Sequence, residues 1–242
     1  MTVGAAVAAQ VAGIRRRLAA AARAARRDPA EITLVAVCKR QPLDRILAVH
    51  DCGVRDFGEN TAQGLKATGA ALVERGRDVR WHFVGALQSN KINAVLPFRP
   101  VVHSLDRLAL AEALAKRAAE PVEVLLQVNL GHEPQKAGAD PAATLELAAA
   151  VARLPRLALR GLMTLPPVDQ DPRPYFTALG RLSAALCATE AGRGARELSM
   201  GMSDDFEIAI ACGATLIRVG TALFGERESK EKPGASDEAD AD

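Results

Sequence analysis

The stretch at residues 197–223 reads ELSMGMSDDFEIAIACGATLIRVGTAL. It predicts a short strand at Glu197–Gly201 and a helix over 203–212, with Ser203 or Asp204 as its N-cap. A second strand is predicted at Thr215–Leu223. A strand, a helix and a further strand in this order are typical of a parallel βαβ unit.

The same alternation extends back through most of the chain. The other strand candidates are apolar, β-branched runs: Ile32–Lys39, Val54–Glu59, Arg80–Gly85, Val101–Leu105, Val122–Leu130 and Leu157–Leu165. Helical segments are predicted near residues 42–52, 60–75, 88–95, 106–119, 141–153 and 173–189.

Eight such units in about 190 residues predict an α/β protein with a compact (β/α)8 TIM-type barrel. A doubly wound open sheet would give much the same local pattern. The G-x-G-x-x-G fingerprint of that fold is missing after the first strand, and the P-loop string G-x-x-x-x-G-K-[ST] does not occur.

The composition is that of an ordinary globular protein. Of the 242 residues 49% are hydrophobic and 25% are charged, and the formal net charge is +2. Such a balance, with only 3% aromatic residues, argues against nucleic-acid binding, and no apolar run is long enough to span a membrane. The four cysteines include no C-x-x-C pair, which is unlike a disulfide framework or a metal site. We expect a cytoplasmic monomer that binds neither metal nor membrane.

The chain is predicted to form a single domain over residues 1–225, with a disordered, charged tail at 226–242. Residues 1–27 contain six arginines and no acidic residue, a balance that organelle transit peptides share. A structural first helix is the favoured interpretation, because four apolar residues recur at helical spacing. These are Val7, Val11, Ile14 and Leu18.

Lys39 closes the apolar first strand, at the end of the barrel where active sites of this fold lie. Alternation puts Val35, Val37 and Lys39 on one face of the strand and Cys38 on the other. A lysine in a partly enclosed site loses some solvation of its charge, and its neutral amine is a nucleophile that forms a Schiff base with aldehydes. The alternative is a lysine that simply extends to water.

The last two strands supply the parts of a phosphate site. Loops after strands seven and eight are the usual phosphate position of this fold, and Gly201 and Gly220 allow an anion to approach the backbone. Ser199 and Thr221 add hydroxyl donors. Arg218 lies inside an apolar strand and needs an acceptor, either a carboxylate such as Glu59 or Asp205, or the ring nitrogen of a cofactor.

The segments VAVCK, FGENTAQ, WHFVGALQSNK, HSLDR, QVN, GLMTLPP and LSMGMSDDFEIAIACGATLIRVGTALFGER carry a specific resemblance. Together they resemble the pyridoxal phosphate homeostasis protein family, which is related to the barrel domain of alanine racemase. The resemblance runs from about Leu34 to Arg227 and implies pyridoxal 5'-phosphate (PLP) as the cofactor. It implies little or no catalysis and a role in PLP homeostasis, either buffering PLP or delivering it to PLP-dependent apoenzymes.

The resemblance also implies roles for individual residues. Lys39 would form the Schiff base, Arg218 would face the pyridine nitrogen, and Asn60 would lie near the hydroxyl side of the ring. The phosphate would be held by Ser199, Gly220 and Thr221.

Other polar side chains have weaker assignments. His82 and Val84 share a strand face and are candidates for lining the ring pocket, although a hydrogen-bonded core histidine is an equal interpretation of His82. His103 and Asp106 are interpreted as a strand end and a helix cap, not as a catalytic pair.

No catalytic residue is predicted. Racemisation needs a second base opposite the lysine, and in the racemase relatives this is a tyrosine from a separate domain. The one tyrosine here, Tyr175, is expected to pack at a helix start. An arginine facing the ring nitrogen keeps that nitrogen unprotonated, which weakens the ring as an electron sink. Two alternatives stay open: a small PLP-dependent racemase or lyase, and a cofactor-free Schiff-base aldolase.

Overall fold

The computed structural model describes residues 2–133 and 135–225, whose eight strands form one closed parallel barrel. Each strand pairs with its neighbours in chain order, and β8 closes the barrel by pairing with β1. The strands are β1 (Thr33–Val37), β2 (Asp56–Glu59), β3 (Arg80–Phe83), β4 (Val101–Leu105), β5 (Val122–Val128), β6 (Leu157–Thr164), β7 (Glu197–Ser199) and β8 (Leu216–Val219). The predicted TIM-type barrel is therefore confirmed, and the open sheet is excluded.

Helices connect the strands and cover the outside of the barrel. They are α1 (Val3–Ala24), α2 (Leu43–Asp51), α3 (Ala62–Val73), α4 (Ile92–Val95), α5 (Leu108–Arg117), α6 (Thr144–Ala152), α7 (Arg173–Cys187), α8 (Phe206–Ala211) and α9 (Thr221–Phe224). Short 3-10 turns precede α4 at Ser89–Lys91 and α6 at Pro141–Ala143.

Six strands (β1, β3, β5, β6, β7 and β8) end earlier than the sequence predicts, and the structure shows the reason for three of them. β1 stops at Val37, because Cys38 to Gln41 form a turn in which Arg40 has a φ of 56°. β7 stops at Ser199, shortly before Gly201 at φ 89°. β8 ends at Val219 instead of Leu223, because the chain then turns into the helix α9.

The start of α8 also differs from the prediction. Its N-cap is Asp205 and not Ser203 or Asp204. The Asp205 carboxylate accepts a hydrogen bond from the Met202 N–H at 2.6 Å, and so it organises the loop before the helix. The Ser203 hydroxyl instead accepts from the Ala222 N–H at 3.3 Å, which links this loop to α9.

Buried apolar residues form two clusters. A small one fills the barrel interior and contains Val35, Val101, Leu125, Met163 and Leu216. A larger one lies between the strands and the helices and includes Ala36 and Cys38. Alternating residues of β1 therefore face opposite sides, as the sequence predicts.

The first helix packs on the outside of the barrel. Its predicted apolar stripe of Val7, Val11, Ile14 and Leu18 is buried. α1 contacts α2, α8 and α9, and Arg17 forms an ion pair with Glu207 of α8 at 2.6 Å. α1 thus joins α2 to α8 and α9 across the place where the barrel closes.

The predicted tail at 226–242 lies outside the described residues. Within residues 2–133 and 135–225, no helix has the length and apolar character needed to cross a membrane.

Candidate functional site

Closure of the barrel brings the first and last strands side by side. Val35 is the register partner of Arg218, and Ala36 is that of Val219. A Cβ atom on Gly220 would lie 3.3 Å from the Val37 carbonyl oxygen, so the two strand ends are in close contact. Gly220 and Thr221 therefore lie beside the end of β1, where Val37 is two residues before Lys39.

Lys39 is half-buried in the turn after β1 and lines a cavity of about 360 Å3 with Asn60, Glu59 and Thr68. The Glu59 carboxylate is buried and accepts hydrogen bonds from the Thr68 hydroxyl at 3.1 Å and the Cys38 thiol at 3.4 Å. Burial raises the pKa of Glu59, and these two donors and nearby Lys39 oppose the rise. Burial also raises the pKa of the Cys38 thiol, which is consistent with an inert core residue.

Backbone N–H groups are available where the sequence predicts a phosphate. Among the described residues, the N–H groups of Gly220 and Thr221 have no acceptor. The N–H group of the next residue, Ala222, donates to the Ser203 hydroxyl. Gly220 is half-buried and Thr221 is exposed, so an anion can reach both from the mouth.

Arg218 is buried inside the barrel, with 4% of its surface exposed. Its guanidinium donates to the Ser199 hydroxyl at 2.6 Å and to the Thr164 carbonyl at 3.0 Å. Burial lowers its pKa to about 10, which Asp205 opposes through its charge. No carboxylate of residues 2–133 and 135–225 forms an ion pair with it, so neither carboxylate that the sequence suggested is a direct partner.

Ser199 is the last residue of β7, but it lies level with the start of β8 and not with Gly220. It is fully buried and is the register partner of Leu216, which lies four residues before Gly220. At about 3.3 Å per residue, that is about 13 Å along the strand. Its hydroxyl contacts Arg218 and, at 2.8 Å, the His103 Nδ1 atom.

His82 is also placed away from the mouth. Its ring is fully buried, with Nδ1 2.9 Å from His103 Nε2 and Nε2 2.9 Å from the Asp56 carboxylate. Of the two interpretations that the sequence left open, this geometry favours the core histidine. Asn60 and Val84, in contrast, follow the last residues of β2 and β3 and lie at the mouth, half-buried.

Sequence reasoning missed several interior groups. His103 lies in the middle of β4 and not at a strand end, and Arg107 instead of Asp106 is the N-cap of α5. Asp56 and the Thr164 carbonyl were not singled out at all. Strand alternation places Val101, His103 and Leu105 on one face, but it does not tell which face points inward.

Comparison with known proteins gives concordant matches. The family model for the alanine racemase N-terminal domain matches residues 10–228. Pyridoxal phosphate homeostasis protein from Pseudomonas aeruginosa is 41% identical over 225 residues, which cover 92% of this chain and 96% of the relative. The protein of that name from Escherichia coli K12 is 41% identical over 231 residues, covering 93% and 99%.

Solved structures agree with this assignment. PipY from Synechococcus elongatus, solved with PLP bound, has a TM-score of 0.79 at 35% identity and covers 90% of this chain and 100% of its own. Alanine racemase from Corynebacterium glutamicum has a TM-score of 0.67 at 18% identity, covering 96% of this chain and 64% of that enzyme. The racemase match shows a shared fold alone.

Proposed function

Because this chain belongs to the pyridoxal phosphate homeostasis protein family, we propose that it binds PLP through a reversible covalent bond to Lys39. In doing so it buffers cytoplasmic PLP or delivers it to apoenzymes, with little or no catalysis of its own. PLP supplies an aldehyde that bonds reversibly to a lysine amine.

The observation that carries this proposal is the contact between the ends of β1 and β8, which places the turn that contains Lys39 beside Gly220 and Thr221. Lys39 offers an amine at the mouth, and Gly220 and Thr221 offer two N–H donors without acceptors among the described residues. Arg218 lies on β8, two residues before Gly220. Lys39 would bond to the aldehyde of PLP, the two N–H groups would bind its phosphate, and Arg218 would face its ring nitrogen.

Arg218 also fits the cofactor chemically. Its two partners are a hydroxyl and a carbonyl, so a buried guanidinium charge is left without a paired anion in the described chain. A guanidinium only donates, and a pyridine nitrogen that faces it therefore has to accept. Asn60 and Val84 would flank the ring at the ends of β2 and β3.

The same features support a carrier over an enzyme. A ring nitrogen that accepts from Arg218 stays unprotonated and stabilises a carbanion poorly. The Tyr175 hydroxyl donates to Gln170 in the loop just before α7, so it is engaged within its own segment. Neither observation favours the racemase or lyase alternative.

The test is covalent labelling. The protein is incubated with PLP, reduced with borohydride and mapped by mass spectrometry, with Lys39→Ala as the test variant and exposed Lys66→Ala as the control. We expect a yellow protein with the pyridoxyl group on Lys39, no stoichiometric label in Lys39→Ala, and full label in Lys66→Ala. Label scattered over several lysines would contradict the proposal.

The second measurement separates carrier from enzyme. PLP-loaded protein is assayed with L-alanine and L-serine for loss of optical activity and for product. Saturable turnover at the rates of ordinary enzymes, on the order of 1 per second or faster, would establish the racemase or lyase alternative.

A further inference from the structure

A continuous line of hydrogen bonds crosses the barrel interior from Arg218 to Asp56. Its contacts are Arg218 to Ser199 at 2.6 Å, Ser199 to His103 at 2.8 Å, His103 to His82 at 2.9 Å and His82 to Asp56 at 2.9 Å. We name these five residues the interior chain. Ser199, His103 and His82 are fully buried, and the Asp56 side chain is 24% exposed.

The two ends of the interior chain fix the direction of every bond in it. An arginine has only donors and an ionised carboxylate has only acceptors. Ser199 accepts from Arg218, so its single proton is free to be donated to His103 Nδ1. His103 then donates from Nε2 to His82 Nδ1, and His82 donates from Nε2 to Asp56. Both histidines are thus neutral and carry their proton on Nε2.

Any other proton arrangement leaves a buried group unsatisfied. If His103 carried its proton on Nδ1, it would donate to Ser199, whose own hydroxyl proton would have no acceptor among the described residues. Such a group costs about 1 to 3 kcal/mol. Burial lowers the pKa of both histidines, most strongly that of His103, which Arg218 and Arg80 depress further by their charge. The neutral state is therefore favoured.

We propose that Ser199, His103 and His82 are positioning residues that hold the Arg218 guanidinium in place for the PLP ring nitrogen, through a one-way chain of donors anchored on Asp56. This rests on the proposed function. The proposal gives Ser199 a different role from the phosphate ligand that the sequence predicted. The register agrees, because the partner of Ser199 on β8 is Leu216, about 13 Å before Gly220.

The chain also accounts for the orientation of an arginine that has no ion pair in the described structure. A flexible, buried side chain with a single acceptor could rotate, but Ser199 and the Thr164 carbonyl fix its two terminal nitrogen atoms. Ser199 can only serve as this acceptor with its proton directed elsewhere, and the two histidines provide the place for that proton.

Nitrogen-15 NMR of the histidines in the PLP-free protein tests the proton arrangement. The four histidine signals are assigned with single His→Gln variants. We expect His82 and His103 to be neutral with the proton on Nε2, and Ser199→Ala to shift the His103 Nδ1 signal. A proton on Nδ1 of either ring would overturn the proposal.

Ser104→Ala is the matched control. Ser104 lies next to His103 on β4 and is equally buried, but its hydroxyl has no hydrogen-bond partner among the described residues. We expect this variant to leave the histidine signals and PLP binding as in the wild type. An equal effect of both variants would mean that lost packing, and not the interior chain, is responsible.

Binding of PLP and of pyridoxal, which lacks the phosphate, separates a positioning role from a phosphate contact. We expect Ser199→Ala to weaken both ligands by a similar factor of about 10 or more, because Arg218 faces the ring that they share. Thr221→Ala should weaken PLP alone. A Ser199→Ala effect confined to PLP would restore the phosphate role and overturn the proposal.

Folding and rescue controls complete the experiment. Circular dichroism verifies that each variant is folded, and Ser199→Thr, which keeps the hydroxyl, is expected to bind both ligands more tightly than Ser199→Ala. If the wild type takes up no PLP, the proposed function fails, while the NMR result still decides whether the interior chain exists.

Discussion

Arg218 is buried in surroundings that are unusual for an arginine. Most buried charges are paired with an opposite charge, whereas the partners of this guanidinium within the described part of the chain are a hydroxyl and a carbonyl. A site with an unpaired buried cation is costly for folding alone and is expected where a ligand completes it. Arg218 is therefore a stronger indication of function than Lys39, because a lysine at a strand end can simply extend to water.

The two interior histidines predict how stability depends on pH. Burial lowers the pKa of each below the ordinary value of 6.5. As the pH falls below 6.5, the unfolded chain takes up protons that the folded chain does not, and the free energy of unfolding decreases. The slope is up to about 1.4 kcal/mol per pH unit for each histidine. Urea unfolding from about pH 7 to about pH 5.5 measures it.

Comparison of variants isolates this contribution from the carboxyl groups. Burial raises the pKa of Glu59 and Glu197, so proton uptake by these two carboxylates increases the free energy of unfolding as the pH falls. This contribution is the same in each variant. We expect His103→Gln to reduce the slope and His132→Gln, at an exposed position, to leave it unchanged. An unaltered slope in His103→Gln would show that His103 is not a neutral buried group.

At the scale of elements, α1 is part of the fold. Ile14 lies on its buried stripe and is 3% exposed, whereas Val3 on the same helix is 43% exposed. We expect Ile14→Ala to lower the free energy of unfolding by about 2 to 5 kcal/mol and Val3→Ala to change it by less than about 0.5 kcal/mol. Denaturant unfolding of both variants is the measurement. Equal, small effects would favour a detachable leader over a structural helix.

The element boundaries that the sequence missed lie at the functional end of the barrel. Local patterns predict β8 to Leu223, because apolar residues continue past Gly220, but the chain turns into α9 there. Two side chains from other parts of the sequence hold the backbone of α9. The Ser203 hydroxyl accepts from the Ala222 N–H, and Arg45 donates to the Phe224 carbonyl. Tertiary contacts thus decide where strand becomes helix, and this change leaves the N–H groups of Gly220 and Thr221 without an acceptor among residues 2–133 and 135–225.

At the scale of the whole molecule, ligand binding is expected to stabilise the barrel. PLP at about 100 times its dissociation constant should add about 2.7 kcal/mol to the stability, or about 5 to 10 °C to Tm. Pyridoxine 5'-phosphate keeps the ring and the phosphate but lacks the aldehyde, so we expect a clearly smaller shift. Calorimetry or thermal-shift assays measure both. Equal shifts would argue against a covalent bond to Lys39.

The number, order and approximate positions of the strands could be predicted from the sequence, because periodicity and β-branched runs are local signals. The sequence also singled out Lys39, Gly220 and Thr221 as candidate site residues, but it placed Lys39 at the end of β1 and the other two within β8, and both strands end earlier. Closure of the sheet, which places the end of β8 beside the end of β1, is visible in the tertiary structure alone, since it depends on β1 pairing with a strand about 180 residues later.

The tertiary structure also decided the surroundings of Ser199, His82 and His103. Alternation assigns each to a face of its strand, but the inward direction and the relative heights of different strands follow from register. His103 and Ser199 are 96 residues apart and meet only because both point into the same barrel. A hydrogen bond across an interior leaves no local trace in a sequence, because neither residue type nor spacing encodes which distant strand supplies the partner.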